Sequence, residues 1–441
     1  MTTDQRPPGP NAPGYASDNL RRFRDDYGAF LRELTATYGD IVALPVGQHQ
    51  ICLLSDPASV QQVFAGERHS FQKPEALHAS NRGYWGDGLT SLEGAAWLRM
   101  RRLLQPAFHP HHLARFAPVI VECAQDMLAG WQPGAWVDVT QASLDLVARI
   151  AARTVLDADV EGHAGRCPRS ARAGLIPAKE LRGVQFAVTL LRGETDAVPM
   201  MRPRAGRRPG RAVEIIKERL ASREDRGDML SRLLRAADEA GHTLSADEVL
   251  GEMIQMLFAG HLNFPRALAG VWQALAEHPE AERGLHAEVD RVLGGRPPQH
   301  DDLPNLPYTE MVIKEALRRY TPSGLALHRE VTQPVQVGSY TLEPGTIVWV
   351  DLHLLHHDPR LFAEPERFWP ERFGPERERA IPRYAFLPFG AGPRTCIGNG
   401  LAMMQMQLIV TVVAQSYRLA LPPDGAAREA AVMEIIERSW R

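Results

Sequence analysis

The stretch from Ser245 to Pro279 constrains the fold more than any other part of this 441-residue chain. Ser245-Ala246-Asp247-Glu248 sets a serine three residues before a glutamate, the reciprocal arrangement that opens a helix by satisfying two of its unpaired N–H groups. An apolar run follows and stops only at His278-Pro279. The spacing predicts a helix roughly 50 Å long, at 1.5 Å per residue. A helix of that length crosses a whole domain, so the other elements must be arranged around it. Pro265 lies inside it, lacks an N–H and crowds the carbonyl of His261, and a bend or a widened turn is expected there.

Near the C-terminus, Phe389-Gly390-Ala391-Gly392-Pro393-Arg394-Thr395-Cys396-Ile397-Gly398 holds one cysteine in a loop whose glycines and proline preset a tight backbone path. An apolar helix from Leu401 to Val413 is predicted after it. Turn amides and that helix N-terminus favour a thiolate, the form that ligates a metal or acts as a nucleophile. Arg394 offers a fixed cation to an anionic group on whatever the sulfur binds. The other cysteines, Cys52, Cys123 and Cys167, are too scattered for a disulfide framework and read as small buried hydrophobes.

Phe389, Gly392, Arg394, Cys396 and Gly398 match F-x-x-G-x-R-x-C-x-G, and on these residues the chain resembles the cytochrome P450 family. Further matches follow in the family's order. Trp97 and Arg101, four apart on one helix face, match W-x-x-x-R. Ala259-Gly260-His261 in the long helix resembles A-G-x. Glu315 and Arg318 match E-x-x-R, and Pro370-Glu371-Arg372-Phe373 matches P-E-R-F. The near-copy Pro365-Glu366-Arg367-Phe368 fits the family frame less well than the run from Glu364 to Phe373. Alone, each has a plain alternative: a surface ion pair, a basic amphipathic turn, a buried free thiol. Their agreement in one chain is what favours the family.

The resemblance covers about residue 20 to the C-terminus. It implies a mainly α fold, a helical prism with a small β-subdomain, built as one domain over 18–441 behind a loosely held arm at 1–17 that carries Pro7-Pro8-Gly9-Pro10. It implies haem b between the long helix and the cysteine loop, with Cys396 as the iron ligand. Ala259, Phe389, Ile397, Gly398 and Ala402 would lie beside the cofactor. Trp97, Arg101, His328 and Arg394 would hold the propionates, and Glu315, Arg318 and Arg372 would form a buried triad behind the loop. Strand neighbours face opposite ways, so only one of His328 and Arg329 can meet the cofactor, and His328 is the one expected. Leu325 and Ala326 are expected in the substrate pocket, Phe71–Leu92 as a lid, and Ala171–Met201 as a roofing helix pair.

The chain departs from the family just after Gly260. Where an acid and an alcohol normally relay protons, it has Leu262 and Asn263. Asn263 is a poor acid or base but can orient a water, which the carbonyl freed by Pro265 could also hold. The equal alternative is that the substrate supplies the hydroxyl. The implied activity is insertion of one oxygen atom from O2 into a small apolar terpenoid, polyketide or fatty-acid-like substrate in secondary metabolism. Too few residues follow Cys396 for a fused reductase, so electrons are expected from a ferredoxin or flavodoxin with its reductase, docking near Arg101 and Arg102. Two rival classes stand beside it. One is a peroxygenase, isomerase or dehydratase, although fatty-acid peroxygenases carry Arg-Pro where this chain has Leu262-Asn263. The other is a non-catalytic haem or ligand-binding protein.

The net charge of −3 argues against a nucleic-acid partner. The basic patch at Arg202, Arg204, Arg207, Arg208 and Arg211 has no interleaved aromatics for base stacking and reads as a solvated loop. Residues 1–15 are polar and proline-rich, without the ~20 apolar residues of a membrane anchor, and a cytoplasmic location is expected. His353, His356, His357 and Asp358 resemble the family's H-x-D-P loop and are expected to be structural. Coarser expectations are a helix over Asn19–Tyr38, a hairpin of Ile41–Pro45 with Gln50–Leu54, and a helical pattern from Pro118 to Val160.

Overall fold

In the computed structural model, which describes residues 6–10, 18–19, 21–22, 27–46, 49–75, 88–158, 211–321, 326–422 and 432–438, the long helix runs from Ala246 to Glu277. The Ser245 hydroxyl accepts the Glu248 N–H at 3.2 Å, and the Glu248 carboxylate accepts the Ser245 N–H at 2.8 Å. The helix keeps α geometry through the buried Pro265, so the widened turn does not form. Packing on both sides outweighs one missing hydrogen bond. The helix Val139–Leu156 lies along it, and a Cβ on Gly260 would meet Val147 Cγ1 at 3.7 Å.

Helices Ala117–Ala129, Pro279–Leu293, Pro307–Arg319 and Asn399–Ser416 share the main apolar core with these two. Asn399–Ser416 is buried nearly all round from Met404 onward, which is why it lacks a polar stripe. The helical pattern from Pro118 resolves into two helices, Ala117–Ala129 and Val139–Leu156. Gly130, Pro133 and Gly134, the last at φ +80°, break it, and strand β4 (Trp136–Asp138) intervenes before Asp138 caps the second helix.

The β-region packs at one side. Strands β1 (Ile41–Val46) and β2 (His49–Leu54) form the expected hairpin, in a five-stranded sheet with β3 (Phe71–Gln72), β5 (Ala326–Val331) and β8 (Ile347–Asp351), ordered β1-β2-β8-β5-β3. Only β2 and β8 run parallel within it. β6 (Val335–Val337) pairs with β7 (Tyr340–Leu342), and β4 pairs with β10 (Val432–Glu437), which also holds β9 (Tyr417–Ala420).

The arm is not loose where it is described. Pro7 and Pro10 are buried, and the Pro8 carbonyl accepts the Ala43 N–H at 2.8 Å. A Cβ on Gly9 would sit 1.7 Å from the Ala43 carbonyl oxygen, so glycine alone permits this docking on β1. The described part of the first helix is Tyr27–Tyr38, ended by Gly39 at φ +94°. Leu325, Cys167, the Ala171–Met201 pair, the middle of the expected lid and most of the Arg202–Arg211 patch lie outside the described residues. Among the described residues, no helix is long and apolar enough to cross a membrane, and no group of three or more His, Cys, Asp or Glu side chains is set to hold a metal ion.

Candidate active site

The cysteine loop is shaped from within. Gly390 and Gly392 take φ of +80° and +66°, and the Cys396 N–H donates to the Phe389 carbonyl at 2.8 Å, closing the loop on itself. Gly398 caps the helix Asn399–Ser416, and its carbonyl accepts the Ala402 N–H at 2.8 Å. Ile397 and Ala402 pack at the edge of the main core. Cys396 keeps an exposed surface. The atoms around its sulfur still push the thiol up, while the Gly398 N–H and Arg101 pull it down. Burial therefore outweighs the amides that were expected to secure a thiolate. The anion is secured when the sulfur meets a metal cation, which deprotonates a ligating thiol.

Behind the loop, Glu315 and Arg318 are fully buried and joined by two hydrogen bonds of 2.8 and 2.9 Å. Arg372 approaches the same carboxylate at 3.4 Å and donates to the carbonyls of Ala363 and Glu364 at 2.6 and 3.1 Å. Arg367 of the near-copy pairs instead with Glu364 on the exposed surface. Arg318 also donates to the carbonyls of His356 and Pro365, both at 2.7 Å. His356 carries the connection forward: its Nε2 accepts the Leu387 N–H at 3.0 Å, so its proton sits on Nδ1, 3.2 Å from Thr321 Oγ1. Burial, then Arg318, pushes this histidine down to about 3, so it is neutral. The expected triad thus reaches the start of the cysteine loop through one buried imidazole.

On the other side of the loop lies a cleft of about 1270 Å³, lined by Trp97, Arg101, Glu93, Arg329 and Arg394 among others. Arg394 pairs with Glu93 and lies 4.2 Å over the Trp97 ring. Arg101 donates to the Thr395 carbonyl at 2.9 Å, tying the helix Gly94–Leu104 to the residue before the cysteine. The pleat of β5 turns Arg329 to the cleft, 4.5 Å over the Phe64 ring. His328 faces away, edge-on to Trp349 at 4.6 Å, and burial followed by Arg329 pushes it down to about 3. The expectation for this pair is therefore reversed. An imidazole can be buried neutral against an aromatic ring, whereas a guanidinium, charged at any ordinary pH, takes the cleft.

Lys73 and Glu93 were not anticipated. Glu93 stands four residues before Trp97, a helical spacing that could have signalled it; nothing local marks Lys73. The Lys73 ammonium lies 3.8 Å from Glu93 and is pushed down to about 8 by burial and then by Arg394, with Glu93 opposing. Arg329 is pushed down to about 10 by burial and then by Arg394. Among the described residues these crowded cations face a single carboxylate, so the cleft fits a dianion such as the two propionates of a haem, and the soft Cys396 sulfur, near Arg101 of the cleft, fits the iron. On the long helix, Ala259 and Asn263 are exposed and four apart on one face, while Gly260 turns to Val147. Of the expected pocket pair, Ala326 opens β5.

The family profile described as Cytochrome P450 matches residues 7–156 and 210–431. The chain is 35% identical over 400 residues to cyclooctat-9-en-7-ol 5-monooxygenase of Streptomyces melanosporofaciens, covering 89% of this chain and 85% of that one. It is 34% identical over 411 residues to cyclooctatin synthase of the same organism, covering 90% and 87%. Pentalenene oxygenase of Streptomyces avermitilis is 28% identical over 406 residues, covering 92% and 90%. With that profile spanning most of its length, and with the cysteine loop flanked by the buried triad and the cationic cleft, the chain belongs to the cytochrome P450 family, the haem-thiolate oxidoreductases.

Proposed function

We propose that this protein is a monooxygenase that inserts one oxygen atom from O2 into a small apolar terpenoid, using haem b and electrons from a ferredoxin or flavodoxin with its reductase. The observation that carries the reading is a cysteine loop braced at its start, through His356, by the buried Glu315–Arg318 pair, next to a cleft whose described lining holds more cations than carboxylates. The substrate class is supported by the names of its relatives, which specify an alkenol and an alkene, cyclooctat-9-en-7-ol and pentalenene.

In this reading Trp97, Arg101, Arg329 and Arg394 hold the propionates and Cys396 ligates the iron. Haem bound there supplies the oxygen chemistry, with the thiolate pushing electron density that favours O–O cleavage. Ala259 keeps the long helix close to the cofactor face. Asn263, on the same face, orients a water at that face. That water carries the proton that an alcohol would otherwise carry, because an amide neither gives nor takes one at neutral pH.

The first test is the reduced carbon-monoxide difference spectrum of the haem-loaded chain, followed by turnover of cyclic terpenes with ferredoxin, reductase and NADPH. A thiolate-type spectrum with no turnover under any reductant would leave a binding protein, and turnover with peroxide alone would select a peroxygenase. Asn263→Ala is expected to lower product formed per NADPH consumed at least several-fold; unchanged coupling sinks the role given to Asn263.

A further inference from the structure

Gln255 lies four residues before Ala259 and eight before Asn263, so the three side chains share one face of the long helix. Gln255 is 5% exposed. Its Oε1 accepts two hydrogen bonds from Thr90, from the N–H at 3.0 Å and from the hydroxyl at 2.9 Å. A backbone N–H can only donate, so the amide cannot be turned over, and its Nε2 is left on the far side. That nitrogen is buried and has no hydrogen-bond partner among the described residues.

The neighbouring chain makes room for it. A Cβ on Gly88 would sit 2.2 Å from Gln255 Nε2 and 3.0 Å from Glu252 Oε1, so any larger residue there would displace the amide. Glu252, 2% exposed, spends its own Oε1 on the Leu89 N–H. Thr90 and Leu89 thus fix both side chains, and the Gln255 donor remains unspent beside Gly88. A buried amide N–H without an acceptor costs its full desolvation, and such groups are rare unless a ligand completes them.

We propose that the Gln255 amide is a specificity determinant that donates a hydrogen bond to a hydroxyl or carbonyl oxygen already present on the substrate. Roughly 6 Å of helix separates Gln255 from Ala259, a distance that a polycyclic carbon skeleton spans. The existing oxygen is held at Gln255 while a carbon elsewhere on the skeleton faces Ala259 and Asn263. The substrate is then an oxygenated terpenoid rather than a bare hydrocarbon. The reaction that supplies it is an earlier hydroxylation, or a cyclisation that ends in capture of water. This inference rests on the terpenoid monooxygenase reading.

The test is a spin-state titration of the haem-loaded chain with matched ligand pairs: a cyclic diterpene hydrocarbon against its mono-alcohol, and dodecane against dodecanol. The wild type is expected to bind the alcohol of a pair roughly three- to tenfold tighter, the worth of one net hydrogen bond. Gln255→Leu should erase that preference while hydrocarbon affinity stays the same or improves. Gln255→Met, which keeps the length of the side chain, should do likewise even if Leu loosens residues 88–91. An equal preference in wild type and both variants overturns the proposal, as it would be if Nε2 held only a trapped water. So does a wild type with no preference. If terpenes give no spin shift and dodecanol does, the terpenoid reading fails, and the dodecane pair still decides the role of Gln255.

Discussion

His328 and Arg329 are sequence neighbours that the pleat of one strand sends to different environments, one against Trp349 and one into the cleft. Their substitutions should therefore fail differently. Arg329→Leu removes a charged donor from the propionate side, and transfer of haem to apomyoglobin is expected to speed up about tenfold; an unchanged rate would take Arg329 out of the cofactor site. His328→Leu should leave haem retention intact and alter the response to acid. The folded pKa of His328 is pushed down to about 3 from 6.5, so on acidification the unfolded chain takes the proton first. Its contribution is whole above pH 6.5 and is lost as pH falls toward 3. Between pH 7 and pH 5 the wild type should lose about 2 kcal/mol more than His328→Leu, measured by urea unfolding. At the same scale, Arg318→Ala strands a fully buried Glu315 carboxylate at a cost of about 3–5 kcal/mol, and the chain should fail to incorporate haem. A variant with full haem content would refute the role of that pair. The identity of these residues was legible from motif spacing. Which of two adjacent residues faces the cleft was not, because the facing depends on how β5 pairs with β8.

Among elements, the cysteine loop shows how narrow the permitted backbone is. At Gly392 the φ of +66° already disfavours a side chain, and a Cβ would lie 2.0 Å from the Phe64 carbonyl oxygen in the turn after Pro57–Gln61. Gly392→Ala must push the loop off that turn. It is expected to convert a large share of the protein to a form whose reduced carbon-monoxide spectrum lacks the thiolate signature; a wild-type spectrum would show that the loop tolerates the shift. The long helix was readable from its capping box and length alone. What the sequence could not show was that the helix passes Pro265 in α geometry, since its thirty-two residues are held by the packing of their flanks. Conversely, the break between Ala129 and Trp136 is written in Gly130, Pro133 and Gly134, although apolar periodicity resumes on both sides.

At the level of the whole molecule, the proposed cofactor site draws on Trp97, Arg329 and Cys396, which lie on separate elements far apart in the chain, and ligand binding should stabilise all of them together. Haem at a thousandfold excess over its dissociation constant adds about 4 kcal/mol to the folded state. The haem-free chain is therefore expected to melt several degrees lower in calorimetry, with a midpoint that climbs as haem is added; a midpoint indifferent to haem would place the cleft outside the cooperative unit. The sequence by itself determined the family, the partners of the buried triad and the central helix. Each of these is a local pattern of a few residues whose spacing carries its own physical meaning. Tertiary structure alone decided that Arg329 takes the place expected of His328, that His356 joins the triad to the loop, that Pro7 to Pro10 lie docked on β1, and that Gln255 keeps a buried donor unspent. These depend on contacts between residues mostly tens to hundreds apart in the chain, and no local spacing records which groups packing will bring together or shield from water.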